Sequence, residues 1–233
     1  MAPTLGEWLA RLEQLHPSEI ELGLDRVAQV AGRLGLSLAD SQVITVAGTN
    51  GKGSTVTLVR DILMAHGFTT ATYTSPHLTH FNERICIDGQ PQSDAQICHA
   101  LEKVDSARGQ TSLTYFEFTT LAALWIFQQA RPHYCLLEVG LGGRLDAVNI
   151  IEPDITVVTN IELDHQAWLG QDRNSIAREK AGIFRAGIPA ICGQASAPAA
   201  LRDAAAAVGA IWVQAGEAFK LSVDHDQWRW VRL

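Results

Sequence analysis

A lysine inside a glycine-rich turn is the first place in this 233-residue sequence where residue type and spacing could do chemistry. The stretch is Val46-Ala47-Gly48-Thr49-Asn50-Gly51-Lys52-Gly53-Ser54. It follows the apolar run Val43-Ile44-Thr45-Val46, which reads as a buried strand, and runs into residues 55–64, whose apolar positions recur at helical spacing. Strand, turn with lysine, then helix is the layout of a phosphate-binding loop. Backbone N–H groups line such a turn, and the helix N-terminus adds partial positive charge. Lys52 would reach terminal phosphates, and a hydroxyl at Ser54 or Thr55 could approach a bound Mg²⁺. The spacing departs from the common form: only Thr49 and Asn50 separate Gly48 from the Gly51-Lys52 pair, and Gly53 stands between Lys52 and Ser54. The plain alternative is a glycine-rich β-turn with an exposed lysine.

Ser75, Glu138 and His165 are candidate metal or phosphate groups. Pro76 forces an extended or turn geometry on Ser75. Glu138 ends the apolar run Tyr134–Val139 and is followed by Gly140-Leu141-Gly142-Gly143. A carboxylate buried there is costly without a partner, which points to a functional role. His165 follows the strand-like run Asp154–Thr159 through Asn160-Ile161-Glu162-Leu163-Asp164. Taken singly, a serine before proline reads as a turn and a histidine after a strand as a hydrogen-bonded structural residue. Their shared position at strand ends beside the phosphate loop raises them together, because open α/β sheets bind ligands at the carboxyl ends of their strands. Mg²⁺ takes hard oxygen ligands, so a hydroxyl and a carboxylate suit it better than an imidazole. Lys180, in Arg178-Glu179-Lys180-Ala181-Gly182-Ile183-Phe184, reads locally as a solvated helix residue.

The elements that must position these groups alternate. Helical spacing covers Thr4–Leu15 (ended by Pro17), Leu24–Leu34, Ser93–Ser106, Tyr115–Ala130, Ser175–Phe184 and an Ala-rich Pro198–Val208. Between them fall strand-like runs at Phe68–Tyr73, Tyr134–Val139, Asp154–Thr159, Pro189–Cys192 and Ile211–Val213. Arg84–Gln90 alternates and offers Asp88-Gly89 as a hairpin turn. The pattern predicts an α/β fold with a mainly parallel, doubly wound sheet. From Phe219 it changes to a short β segment, Phe219–Val223 and Gln227–Val231 about a turn at Asp224-His225-Asp226.

Composition narrows the function classes. Hydrophobic residues at 47% permit a sizeable core, and 18 Lys and Arg against 25 Asp and Glu give a net charge of −7. That balance opposes non-specific nucleic-acid binding, which depends on basic residues. Cys86, Cys98, Cys135 and Cys192 are scattered, as expected of reduced cytoplasmic thiols. The N-terminus lacks a signal-peptide pattern, and no apolar run approaches the ~20 residues of a membrane helix. A soluble, cytoplasmic protein with no membrane partner is expected.

Longer motifs carry a resemblance. Leu22–Val27, Gly48–Ser54, Ser75-Pro76-His77-Leu78, Leu113–Phe118, Leu137–Asp146, Leu163-Asp164-His165 and Glu179–Phe184 make the chain similar to the N-terminal ATPase part of the folylpolyglutamate synthase family, relatives of the Mur peptidoglycan ligases. The similarity runs from about Glu7 onward. It implies a Mur-ligase-like central domain over residues 1–233, incomplete and without the family's C-terminal domain. It also implies ATP-dependent addition of L-glutamate to dihydropteroate and to tetrahydrofolate through an acyl phosphate, by a monomer using ATP and Mg²⁺. Thr49, Asn50, Gly51, Lys52, Gly53 and Ser54 match the ATP loop, and Ser75, Glu138 and His165 the Mg²⁺ ligands. Lys52 and His165 would be catalytic, as would Lys180, which matches a carbamylated lysine. Gly23, Leu24, Asp25 and Arg26, then Thr114, Tyr115, Phe116 and Glu117, then Leu145, Asp146 and Ala147 match dihydropteroate-binding segments. A Mur-type ligase, a non-catalytic ATP- or pterin-binding fragment and a simple kinase stay open as alternatives.

Overall fold

The computed structural model describes residues 3–15, 21–224 and 227–233, so the expected helix stop at Pro17 and the His225-Asp226 turn lie outside the described residues. The chain opens with α1 (Leu5–Glu13), capped by Thr4, and α2 (Asp25–Leu34). Then come β1 (Gln42–Ala47), α3 (Lys52–Ala65) and β2 (Thr70–Tyr73). A short 3₁₀ turn, Phe81–Arg84, leads into the hairpin β3 (Ile85–Ile87) and β4 (Gln90–Pro91). Asp88 and Gly89 both take positive φ at its tip, as a type I′ turn requires.

Next are α4 (Asp94–Arg108), α5 (Tyr115–Ala130) and β5 (Tyr134–Glu138). A 3₁₀ turn at Ala147–Ile150 precedes β6 (Ile155–Val158), the single-turn α6 (Gln166–Leu169) and α7 (Arg173–Ala181). The chain continues through β7 (Pro189–Cys192), α8 (Ala199–Val208) and β8 (Ile211–Gln214). β9 (Phe219–Asp224) and β10 (Gln227–Arg232) form a separate antiparallel pair.

The main sheet runs β4-β3-β2-β5-β1-β6-β7-β8. It is parallel from β2 to β8, with β3 and β4 antiparallel at one edge. From β1 the chain goes through α3 to β2 on one side and later returns to β6 on the other. The carboxyl end of β1 is thus a switch point, where a crevice opens between diverging connections. The winding is lopsided: the large core, including Phe118, Leu121 and Phe127 of α5, fills one face. On the other face α3 covers a smaller cluster of Ile44, Val46, Val56 and Leu136.

Helices α3 and α7 depart most from the sequence expectation. Helix α3 begins at Lys52 rather than Thr55, because Gly51 in the left-handed region (φ 77°) turns the chain directly into it. Helix α7 begins at Arg173 rather than Ser175, since the Asp172 carboxylate accepts from the N–H groups of Asn174 (2.8 Å) and Ser175 (2.9 Å), and it ends before Gly182.

Candidate active site

The turn from β1 into α3 is built by close approach and by bracing from the exit of β6. A Cβ on Gly48 would lie 1.8 Å from Oγ1 of Thr159, so only glycine fits there. Thr49 N–H donates to the Asn160 carbonyl (3.0 Å) and Asn50 N–H to Asn160 Oδ1 (2.8 Å). Thr159 Oγ1 in turn donates to the Asn50 carbonyl (2.6 Å). The backbone donors of Thr49 and Asn50 are therefore spent on the loop itself. Donors available to an anion lie in the first turn of α3, which has no capping side chain and no acidic residue.

Lys52, half-buried, curls back: its Nζ donates to the carbonyls of Gly48 (3.1 Å) and Thr49 (3.3 Å). Lys180 arrives from α7 at the same Gly48 oxygen, 2.9 Å away, and is 5% exposed. Burial pushes its pKa down to about 8, and the positive charge of Lys52 adds to the effect. The solvated lysine expected from local sequence is thus a buried group in contact with the phosphate loop. Its neighbour lies 132 residues away in sequence, so no local signal could reveal it.

The parallel register places Val46 of β1 beside Glu138 of β5. Ser75 follows the adjacent β2, ahead of a cis Ser75–Pro76 bond, and its N–H donates to Glu138 Oε2 (3.1 Å). Burial raises the Glu138 pKa, opposed by the N–H groups of Ser75 and Gly53 and by the charge of Lys52. His165 lies after β6 in a left-handed conformation (φ 47°), exposed, with its N–H donating to Asp164 Oδ1 at 2.8 Å. Among the described residues no group of three or more His, Cys, Asp or Glu gathers in metal-binding proximity.

Lys52, Ser75 and His165 line one cavity of about 930 Å³ together with Gly23, Thr114–Glu117 and Leu145–Ala147. Glu138 stands outside its wall but is tied to Ser75. Leu24, Asp25 and Arg26 also lie outside, although Arg26 donates to Glu117 Oε1 (3.1 Å). Glu117 and Thr114 cap α5 reciprocally, so this ion pair docks α2 onto the start of α5. Phe116 lies against Gly140, where a Cβ would meet its ring at 2.6 Å. Asp146, fully buried, accepts from Leu141 N–H (2.8 Å) and Val148 N–H (3.0 Å), and burial raises its pKa to about 6. Three residues that the sequence did not single out also matter here: Thr159 and Asn160 as braces, and Arg84 in the cavity wall. Their signal is purely tertiary.

A glycine-rich turn at the switch point of a parallel sheet, with acidic and hydroxyl groups at neighbouring strand ends, defines a nucleotide-binding α/β domain. Residues 46–191 match the Mur ligase middle domain, and the chain belongs to that family. It is 50% identical over 226 residues to the dihydrofolate synthase/folylpolyglutamate synthase of Escherichia coli (strain K12), covering 97% of this chain and 54% of that protein. It superposes on the E. coli FolC in complex with DHPP and ADP with a TM-score of 0.97 at 48% identity, covering 99% of this chain and 56% of that one. A bifunctional folylpolyglutamate synthase/dihydrofolate synthase with Mn, AMPPNP and L-glutamate bound matches at 0.92 and 47%, covering 100% and 57%. The chain spans about half the length of the curated relatives it matches. Among the described residues no helix is long and apolar enough to cross a membrane.

Proposed function

We propose that this chain is the ATP-binding part of a cytoplasmic, monomeric ligase that joins L-glutamate to dihydropteroate and to tetrahydrofolate, with no nucleic-acid or membrane partner. Residues 1–233 then form a Mur-ligase-like central domain that works with a further domain. The observation that carries the reading is the single cavity shared by Lys52 and the segments Thr114–Glu117 and Leu145–Ala147. A phosphate donor and an aromatic acid held there would meet at its Lys52 end. Relatives bound to ADP and DHPP, or to AMPPNP and L-glutamate, support the same substrates.

In this reading the acceptor's carboxylate oxygen attacks the γ-phosphorus of ATP, the bond to ADP breaks, and an acyl phosphate results. The amine of L-glutamate then attacks the acyl carbon, phosphate leaves, and the nitrogen loses a proton. Catalysis is mostly positioning and charge neutralisation. Lys52 exchanges the Gly48 and Thr49 carbonyls for phosphate oxygens. The N–H groups of Lys52 and Ser54 at the start of α3 donate to the same phosphates, Gly53 N–H being held by Glu138, while Thr49 and Asn50 shape the turn. Phe116 offers its face to the pterin, and Arg26, with Gly23–Asp25, supports that wall through Glu117.

Ser75, Glu138 and His165 suit a divalent cation. Glu138 is a buried carboxylate that accepts from the backbone N–H groups of Ser75 and Gly53; burial still outweighs them and the charge of Lys52, so a cation would stabilise it, and Ser75 adds a hard oxygen beside it. A bound Mg²⁺ would neutralise phosphate charge. The buried Lys180 amine, more readily neutral than an ordinary lysine, is suited to condense with CO₂ to a carbamate, releasing a proton.

Hydroxylamine trapping tests the first half-reaction. With ATP, Mg²⁺ and dihydropteroate, this chain should yield the acyl hydroxamate, and Lys52→Ala should yield none. Hydroxamate formed only from a muramyl-peptide nucleotide would replace the reading with a Mur-type ligase; a phosphorylated hydroxyl product would replace it with a kinase.

A further inference from the structure

Arg84 ends the Phe81–Arg84 turn and lines the same cavity, half-buried. Its guanidinium is held without a carboxylate. Nε donates to His77 Nδ1 at 2.9 Å, and its central carbon stands 5.5 Å from the Phe81 ring centroid and 5.6 Å from that of Tyr115. The clamp is itself packed: Phe81 is buried and meets Tyr115 edge-on, with centroids 6.3 Å apart. Among the described residues no carboxylate pairs with Arg84 and no acceptor takes its terminal N–H groups.

The carboxylates sharing the cavity wall are mostly committed elsewhere. Glu117 is bound to Arg26 and Thr114, Glu21 to Arg26, and Asp146 to backbone N–H groups. Glu13 lies near Tyr115, whose pKa is raised by burial first and, against the charge of Arg84, by that of Glu13. A guanidinium with its Nε anchored and its central carbon over aromatic rings presents its two terminal nitrogens as a fork, which matches a planar carboxylate with paired hydrogen bonds.

We infer that Arg84 is a substrate-recognition residue whose free fork binds a carboxylate of the organic substrate in this cavity. The inference rests on the ligase reading above, in which two molecules bring a carboxylate: dihydropteroate and L-glutamate. A phosphate is the weaker match, because the phosphate end is already marked by Lys52 and the open first turn of α3.

Calorimetry on this chain separates the cases, using dihydropteroate, its analogue lacking the benzoate carboxylate, L-glutamate and ATP as titrants. Arg84→Gln should weaken one carboxylate ligand at least tenfold while the decarboxylated analogue and ATP bind as before. Arg84→Lys, which keeps the charge without the fork, should recover only part. Loss confined to dihydropteroate assigns the acceptor's carboxylate; loss confined to L-glutamate assigns that of the amino acid. Unchanged affinity for both overturns the inference, as does an equal loss for the decarboxylated analogue, which would mark Arg84 as structural. If the unsubstituted chain binds neither dihydropteroate nor its analogue, the ligase reading falls and this inference falls with it.

Discussion

Two ammonium groups on one carbonyl oxygen set the chemistry of the loop. Lys52 and Lys180 both donate to Gly48 O, and the one with less access to water has its pKa depressed from 10.5 to about 8. A lysine with a depressed folded pKa gives up its proton earlier in the native chain than in the unfolded one. Between about pH 8 and 10.5 the unfolded state binds more protons, so stability rises with pH through that window. Lys180→Met has no such proton to lose. In bicarbonate-free buffer, the stability of the unsubstituted chain relative to Lys180→Met should therefore increase by ~2 kcal/mol between about pH 7 and 9.5. Urea unfolding at both pH values measures it, and a flat difference would show that Lys180 is not buried as a cation. Glu138 was readable from sequence because a carboxylate ending an apolar strand is costly anywhere. Lys180 was not, because its cost exists only once α7 has folded against the turn after β1.

At the scale of elements, local chemistry decided what could be read. Helix α5 spans Tyr115–Ala130, the bounds expected from sequence, because Thr114 and Glu117 form a capping box and its apolar run is long. Thr114→Ala should cost ~1 kcal/mol of stability by losing that cap, measurable as a lower denaturant midpoint with an unchanged slope. The start of α3 was misjudged because the left-handed Gly51 depends on how the turn is braced, and the brace comes from β6. Asn160 supplies two acceptors there, its carbonyl to Thr49 and its side chain to Asn50. Asn160→Ala removes only the second and leaves the Asn50 N–H free to misorient the turn. A hydrogen bond contributes ~1 kcal/mol net, so ATP affinity should weaken about fivefold. Calorimetry would show this with the melting temperature nearly unchanged; a collapsed melting transition would instead make the brace part of the fold's stability.

For the whole molecule, alternation of strands and helices made the sheet readable, whereas its strand order and its lopsided faces depend on long-range pairing that periodicity does not encode. The hairpin β9–β10 is the clearest case. It was expected from sequence, yet its strands stand apart from the eight-stranded sheet. Contact with the body runs through short links: the Ala215–Phe219 bridge, and hydrogen bonds from Gly216 N–H to Phe219 O (2.7 Å) and from Leu233 N–H to Ala218 O (2.9 Å). Trp228 and Trp230 are 72% and 62% exposed, against 3% for Trp8 in the main core. An isolated two-stranded hairpin is marginally stable in water, so the body cannot rely on it. A chain ending at Ala218 should keep the ATP affinity and the denaturant midpoint of the parent. Its tryptophan emission should shift to shorter wavelength, because the two most solvated indoles are gone while Trp8 remains. If the midpoint drops instead, the hairpin packs on the body in solution.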